Sequence, residues 1–205
     1  MNYPNSIKKN NNKVINYANR GMSLEEDLNL TNTYYLESNI AVIYKKPTPI
    51  KIVKVCFDCK KNATITEAYF KLPSTTDYNG LYKGKYIDFE AKEVKGKKSF
   101  PLSNINAHQI KHIRSIMNHN GIAFIIVRFT LLNKTFVLKG EDLISFVDNE
   151  SLKSIPLSVF EDIGYIINES YMPRIDYIKI IDDVYLGGQK WKKTGKNSKN
   201  FWKIF

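Results

Sequence analysis

Apolar residues along this chain recur at two different periods, and the switches between them mark its elements. Leu24, Leu28, Thr31 and Tyr35 fall at helical spacing behind Ser23, which forms a capping-box pattern with Glu26. The spacing predicts a helix over 23–38. IAVIY, 40–44, is a short apolar run and reads as a buried strand. Pro47 and Pro49 must interrupt it, because neither donates to a strand ladder. Residues 50–56 and 63–69 both read as strands and predict a β-hairpin with a longer loop.

Residues 85–94 alternate strictly. Ile87, Phe89 and Ala91 share one face of the predicted strand, suited to a core, and Asp88, Glu90 and Lys92 share the other. Asn79-Gly80, ahead of this strand, is a turn signal that would fold Asp77 back towards it. Ser103 or Asn104 is the expected cap of a helix reaching 118–120, with Ile105, Ile113, Ile116 and Met117 buried and Gly121 as the stop. IAFIIVRF, 122–129, is the most apolar run and reads as an inner strand, and 135–139 as another. From 141 onwards the pattern reads as helical, with Pro156 and Pro173 marking helix starts. No internal repeat is visible.

Charge divides the chain into three. Residues 1–24 carry four basic residues and no acid, and 184–205 carry six lysines and no acid. The middle holds 21 basic and 20 acidic residues, so the net +11 comes almost wholly from the two ends. The expected layout is a flexible basic arm over 1–20, one domain over 21–186 and a basic aromatic tail over 187–205. A near-neutral body with basic ends fits a polyanion binder, nucleic acid before anionic membrane. An AT-rich genome would also enrich Asn, Lys and Ile, and that source of the lysine excess stays open.

Residues 45–61 hold six lysines and one acid, with Lys51 and Lys54 in the first hairpin strand and Lys60 and Lys61 at the tip. A solvated surface hairpin accounts for this. Entry into nucleic acid does so too, and the phosphate chemistry next to it favours the second reading. Lys95, Lys97 and Lys98 form a basic loop just beyond Lys92. Residues 141–183 hold ten acids and should face away from a polyanion. In the tail, lysines interleave with Trp191, Phe201 and Trp202, which suits stacking on unpaired bases as well as docking on the body.

No apolar run approaches the roughly 20 residues that span a bilayer, and the N-terminus lacks the apolar middle of a signal peptide. With two cysteines and no disulfide framework, a cytoplasmic protein with reduced thiols is expected. Cys56-x-x-Cys59 and His108-x-x-x-His112 have zinc-like internal spacing. The 48 residues between the pairs are far more than a zinc finger uses.

The chemistry converges on 72–92. Asp77, Glu90 and Lys92 are the candidate catalytic residues, since two carboxylates beside an ammonium suit a hard divalent cation with a phosphate next to it. Asp77, twelve residues, then Glu90-Ala91-Lys92 resembles the metal-dependent nuclease signature of the restriction-endonuclease-like superfamily. NRGMSLEEDLN (19–29), AVIYKKPTPIKIV (41–53), EAYFKLPSTTDYNG (67–80), YIDFEAKE (86–93), KSFPLSNINAHQ (98–109) and MPRIDYIKIID (172–182) resemble the RecU-type Holliday junction resolvases of low-GC Gram-positive bacteria. The resemblance covers roughly 19–186.

It implies an α/β, restriction-endonuclease-like mixed sheet flanked by helices, with a projecting β-hairpin stalk, and a homodimer. It implies magnesium-dependent nicking of four-way junction DNA, with Mn2+ as a substitute metal, and suggests recombinase and branch-migration proteins as further partners. Carried over by motif, the metal ligands fall on Thr75, Asp77, Glu90 and Gln109, and the family's lysine on Lys92. Asp88 would support the ligands from behind, and Glu25 is a further acid that can approach. Arg20, Lys51, Lys54, Lys60, Lys61, Lys95, Lys97 and Lys98 are the expected DNA contacts. Thr76 stands where the superfamily has a proline before its first acid, and the tail has no counterpart in the family. A magnesium-dependent nuclease with another DNA target and a non-catalytic DNA-binding accessory protein are the rival readings, though binding alone needs no acid cluster facing a polyanion.

Overall fold

The computed structural model describes residues 23–57, 63–71 and 75–187. A six-stranded mixed sheet runs through the centre in the order β1-β4-β5-β7-β8-β10. Its strands are β1 (Val42–Lys45), β4 (Tyr78–Tyr82), β5 (Lys85–Val94), β7 (Ile122–Phe129), β8 (Lys134–Lys139) and β10 (Tyr165–Ile167). Only β5 and β7 pair in parallel; every other neighbour is antiparallel. The parallel pair needs a crossover, and α2 (Ala107–Asn118) supplies it.

Helix α1 (Leu24–Glu37) begins where its capping box predicts. Ser23 accepts from the Glu26 amide at 3.2 Å, and the Glu26 carboxylate accepts from the Ser23 amide at 2.8 Å. Its stripe of Leu24, Leu28, Thr31 and Tyr35 is buried. With α5 (Tyr177–Tyr185) it covers one face of the sheet, packing on Ile87, Phe89, Phe124 and Ile126. The opposite face packs Ala123, Ile125, Val127 and Phe129 against Ile113 of α2, Leu143 of α3 (Gly140–Asp148) and Phe160 of α4 (Leu157–Asp162). All eight residues of β7 are therefore buried, which is why its sequence is nearly all apolar rather than alternating.

The predicted hairpin forms. Strand β2 (Ile50–Cys56) pairs antiparallel with β3 (Thr64–Phe70) as a separate two-stranded sheet. All of β3 and most of β2 is exposed, including Lys51 and Lys54.

Several expectations are corrected. Asn79-Gly80 is no turn: it lies inside β4, and the reversal into β5 is made by Lys83 and Gly84, at φ 45° and 75°. Gly80 is required for another reason. A Cβ there would sit 2.0 Å from the Val42 carbonyl oxygen on β1, so only glycine permits the approach of the two strands. Strand β1 is not the buried strand expected: it lies at the sheet edge, with only Ile43 of its four residues buried. Helix α2 starts later than the serine and asparagine signals suggest, because Leu102–Asn104 form a 3-10 turn and Asn106 is the cap. Ile116 and Met117 on it are only partly buried.

The segment after 141 is not wholly helical. It contributes β10 to the main sheet, while β9 (Ser154–Pro156) pairs with β6 (Ser99–Pro101). Pro156 does precede a helix, but Pro173 does not: α5 begins at Tyr177. The arm over 1–20 with Arg20, the hairpin tip with Lys60 and Lys61, and the tail beyond Gly187 lie outside the described residues.

Candidate active site

The predicted alternation of β5 holds. Ile87 and Phe89 are fully buried under α1 and α5, and Asp88, Glu90 and Lys92 face the α2 side. That second face is not open water, since Asp88 and Glu90 are both 0% exposed. Two carboxylates on one strand face, removed from solvent, need specific partners.

Asp77 reaches this face by strand register. Strand β4 pairs with β5 from Tyr78 opposite Phe89, so continuing the ladder by one residue sets Asp77 opposite Glu90. Partners directly opposite in an antiparallel pair share a face. The side chain agrees with that register, as Asp77 Oδ2 lies 3.5 Å from the Ala91 amide. Burial pushes the Glu90 carboxyl up to about 7, and the Asp77 carboxylate beside it acts in the same direction. Lys92 offsets this only partly. Its Nζ lies 2.7 Å from Glu90 Oε1, yet neither buried oxygen of Glu90 accepts a well-directed hydrogen bond.

Thr75 and Gln109 stand differently. Thr75 is half-buried two residues before Asp77, and its hydroxyl donates to the Thr76 carbonyl at 3.3 Å. Gln109 is buried in the first turn of α2, where its Oε1 accepts from the Asn106 amide at 2.9 Å. His112, one turn further on, lies 3.2 Å from Asp88 Oδ2. As the crossover between parallel strands, α2 runs against β5, so stepping back from His112 to Gln109 moves towards Glu90. A carbonyl oxygen has two lone pairs, so capping α2 leaves Gln109 with one to spare.

Residues that sequence reasoning passed over support the site. Lys46 Nζ lies 2.6 Å from Asp88 Oδ2 and donates to the Thr76 hydroxyl at 2.9 Å. Thr76 and Tyr86 hydroxyls also donate to Asp88. On the other sheet face, Arg128 of β7 is buried with Asp27 of α1 at 2.7 Å and Glu169 at 2.9 Å, and Arg174 also pairs with Asp27. Glu93 of β5 accepts from the Leu24 amide at 2.8 Å, tying the start of α1 to the strand that carries Glu90. The one available signal was the placement of Asp27 and Arg128 at apolar positions of their elements. Glu25, the further acid, pairs with Lys45 at the surface.

Lys95, Lys97 and Lys98 are exposed just past the end of β5. Of the zinc-like pairs, His112 lies against Asp88 and Cys56 ends β2, while Cys59 lies outside the described residues. Among the described residues, no group of three or more His, Cys, Asp and Glu side chains is placed to hold a metal ion. The acid site is the carboxylate pair of Asp77 and Glu90, with Lys92 beside it. Among the described residues, no helix is long and apolar enough to cross a membrane.

Fold and site together define a mixed α/β protein with a carboxylate pair and a lysine on its central strands. The family model for "Recombination protein U" matches residues 19–183. The chain is 53% identical over 176 residues to the Holliday junction resolvase RecU of Bacillus cereus (strain G9842), covering 84% of this chain and 88% of that protein. It is 52% identical over 187 residues to that of Geobacillus kaustophilus (strain HTA426), covering 90% and 92%. With that of Bacillus cytotoxicus it shares 55% over 172 residues, 82% and 86% of the two chains. The chain belongs to the RecU family.

Proposed function

We propose that this protein is a magnesium-dependent, structure-selective endonuclease that resolves four-way DNA junctions by paired symmetric nicks. One observation carries the metal: the buried Glu90 carboxyl, set opposite Asp77, has two oxygens without directed hydrogen bonds. Such a pair is electrostatically incomplete, and a divalent cation completes it. The residues present fit a hard oxygen-seeking ion. Asp77 and Glu90 supply anionic oxygens, Thr75 and Gln109 neutral ones, and Mn2+ substitutes for Mg2+. When bound, the cation activates water and offsets charge on the phosphate. Lys92, next to Glu90, directs its ammonium to the non-bridging phosphate oxygens, where charge grows during hydrolysis.

The relatives named Holliday junction resolvase support the substrate. A four-way junction offers two equivalent strands, and a two-fold homodimer with one site per protomer matches that symmetry. In this reading the sheet is a restriction-endonuclease-like core. The β2–β3 hairpin is a stalk that enters the junction and reads its shape through Lys51, Lys54, Lys60 and Lys61. Lys95, Lys97, Lys98 and Arg20 hold the flanking backbone.

Cleavage of synthetic four-way, flapped and linear duplexes with Mg2+ tests the proposal. Symmetric nicks confined to the junction are expected. Equal cutting of linear duplex would replace junction resolution with a broader nuclease activity, and no cutting of any substrate would leave a DNA-binding accessory protein.

A further inference from the structure

Lys46 stands at a crossing of three parts of the fold. It follows β1 directly and opens the Pro47–Pro49 link into the hairpin, whose base is closed by the Lys71 amide donating to Pro49. Its own amide donates to the Asp77 carbonyl at 2.7 Å. Its ammonium lies between Asp88 Oδ2, at 2.6 Å, and the Thr76 hydroxyl, at 2.9 Å, with His112 Nε2 of α2 at 3.4 Å. The side chain is 17% exposed, and its charge is spent on Asp88 rather than offered to solvent.

The residues it holds are the immediate neighbours of the carboxylate pair. Thr76 precedes Asp77 in the chain. Asp88 precedes Glu90 by one strand repeat on the same face. We infer that Lys46 is a positioning residue: through Asp88, Thr76 and the Asp77 carbonyl it sets the separation of Asp77 from Glu90, and it links that separation to the seating of the hairpin. The inference rests on the proposed reading of the pair as a cation site. The physical reason is geometric. An ion in octahedral coordination tolerates little error in oxygen placement, and Asp77 lies just outside β4, beyond its last paired residue. The Lys46 ammonium ties Thr76, the residue before Asp77, to Asp88 by a charged contact in a protected site, which is stronger than a neutral one.

The test compares Lys46→Met, Lys46→Arg and the double variant Lys46→Met/Asp88→Asn with the parent full-length chain. The double variant removes both buried charges together and so remains foldable if the single methionine variant is not. Three readouts are taken: Mn2+ binding by calorimetry, junction affinity in EDTA, and the Mg2+ concentration for half-maximal nicking. In Lys46→Met and the double variant, cation affinity should fall about tenfold or more, as for other groups that orient metal ligands, with junction affinity in EDTA unchanged. Lys46→Arg should recover much of the loss.

Unchanged Mn2+ affinity in the folded double variant would overturn the inference. So would a loss of junction affinity in EDTA with cation binding intact, which would make Lys46 a DNA contact. If the parent binds Mn2+ but does not cut junctions, the resolvase reading falls, while a weakened Mn2+ site in the variants still upholds Lys46. If the parent binds no Mn2+, both readings fall.

Discussion

Replacing Glu90 with glutamine should stabilise the metal-free protein while abolishing cleavage. In the fold the Glu90 carboxyl is pushed up to about 7 by burial and by Asp77, against 4.5 for the free group. The folded state therefore holds a proton that the unfolded chain releases. The stability this group contributes is fully present below about 4.5 and is lost as pH rises through about 7. The shift of 7 − 4.5 = 2.5 corresponds to an upper bound of about 3 kcal/mol. Glutamine carries no charge at any of these pH values and avoids that cost, though it gives up the ion pair with Lys92. The expected net gain at pH 8 is about 1–3 kcal/mol, or roughly 2–10 °C in Tm for a chain of this size.

Thermal melts in EDTA at pH 5 and pH 8 measure it. The gain should be large at pH 8 and small at pH 5, and excess Mg2+ should shrink or reverse it, because only the parent gains from ligand binding. A Glu90→Gln protein less stable than the parent at pH 8 in EDTA would refute the reasoning. A gain equal at both pH values would do the same, since the effect could not then come from an ionised Glu90.

Asp27→Ala should cost about 3 kcal/mol in urea unfolding, because it strips the buried Arg128 and the partly buried Arg174 of a shared partner. Gly80→Ala should lower Tm and speed amide exchange along β1, since the new methyl would meet the Val42 carbonyl and the Ile43 backbone as well as the Ile43 side chain, and the backbone atoms cannot swing aside. Lys51→Ala with Lys54→Ala should leave Tm near the parent's, both residues being exposed. It should weaken junction binding and flatten its salt dependence by about one unit of slope for each phosphate no longer neutralised; an unchanged slope would remove the first hairpin strand from the DNA interface.

Much of the site was legible because its signals are local. The alternation of Ile87, Phe89 and Ala91 with Asp88, Glu90 and Lys92 has the period of a strand, and the structure keeps it over all of β5. The Ser23–Glu26 box depends on residues three apart and starts α1 where expected. The unbroken apolar run of 122–129 could only be buried on both sides. Where the reading failed, the deciding partner was distant or the element too short. Asn79-Gly80 looks like a turn, but its glycine answers to β1, which the chain has left more than thirty positions earlier. Strands β9 and β10 have three residues each, too few for any period to show.

Taken alone, the sequence determined which residues could share a face, and so placed Glu90 and Lys92 together on a polar strand face. It also carried the family's motifs. Only the tertiary structure decided that this face is buried, that register sets Asp77 against Glu90, and that Lys46, Asp88 and His112 close behind them. The division has one cause. Facing along a strand follows from backbone geometry within a few residues, whereas the energy of a buried charge depends on whichever groups the rest of the chain brings within hydrogen-bonding distance.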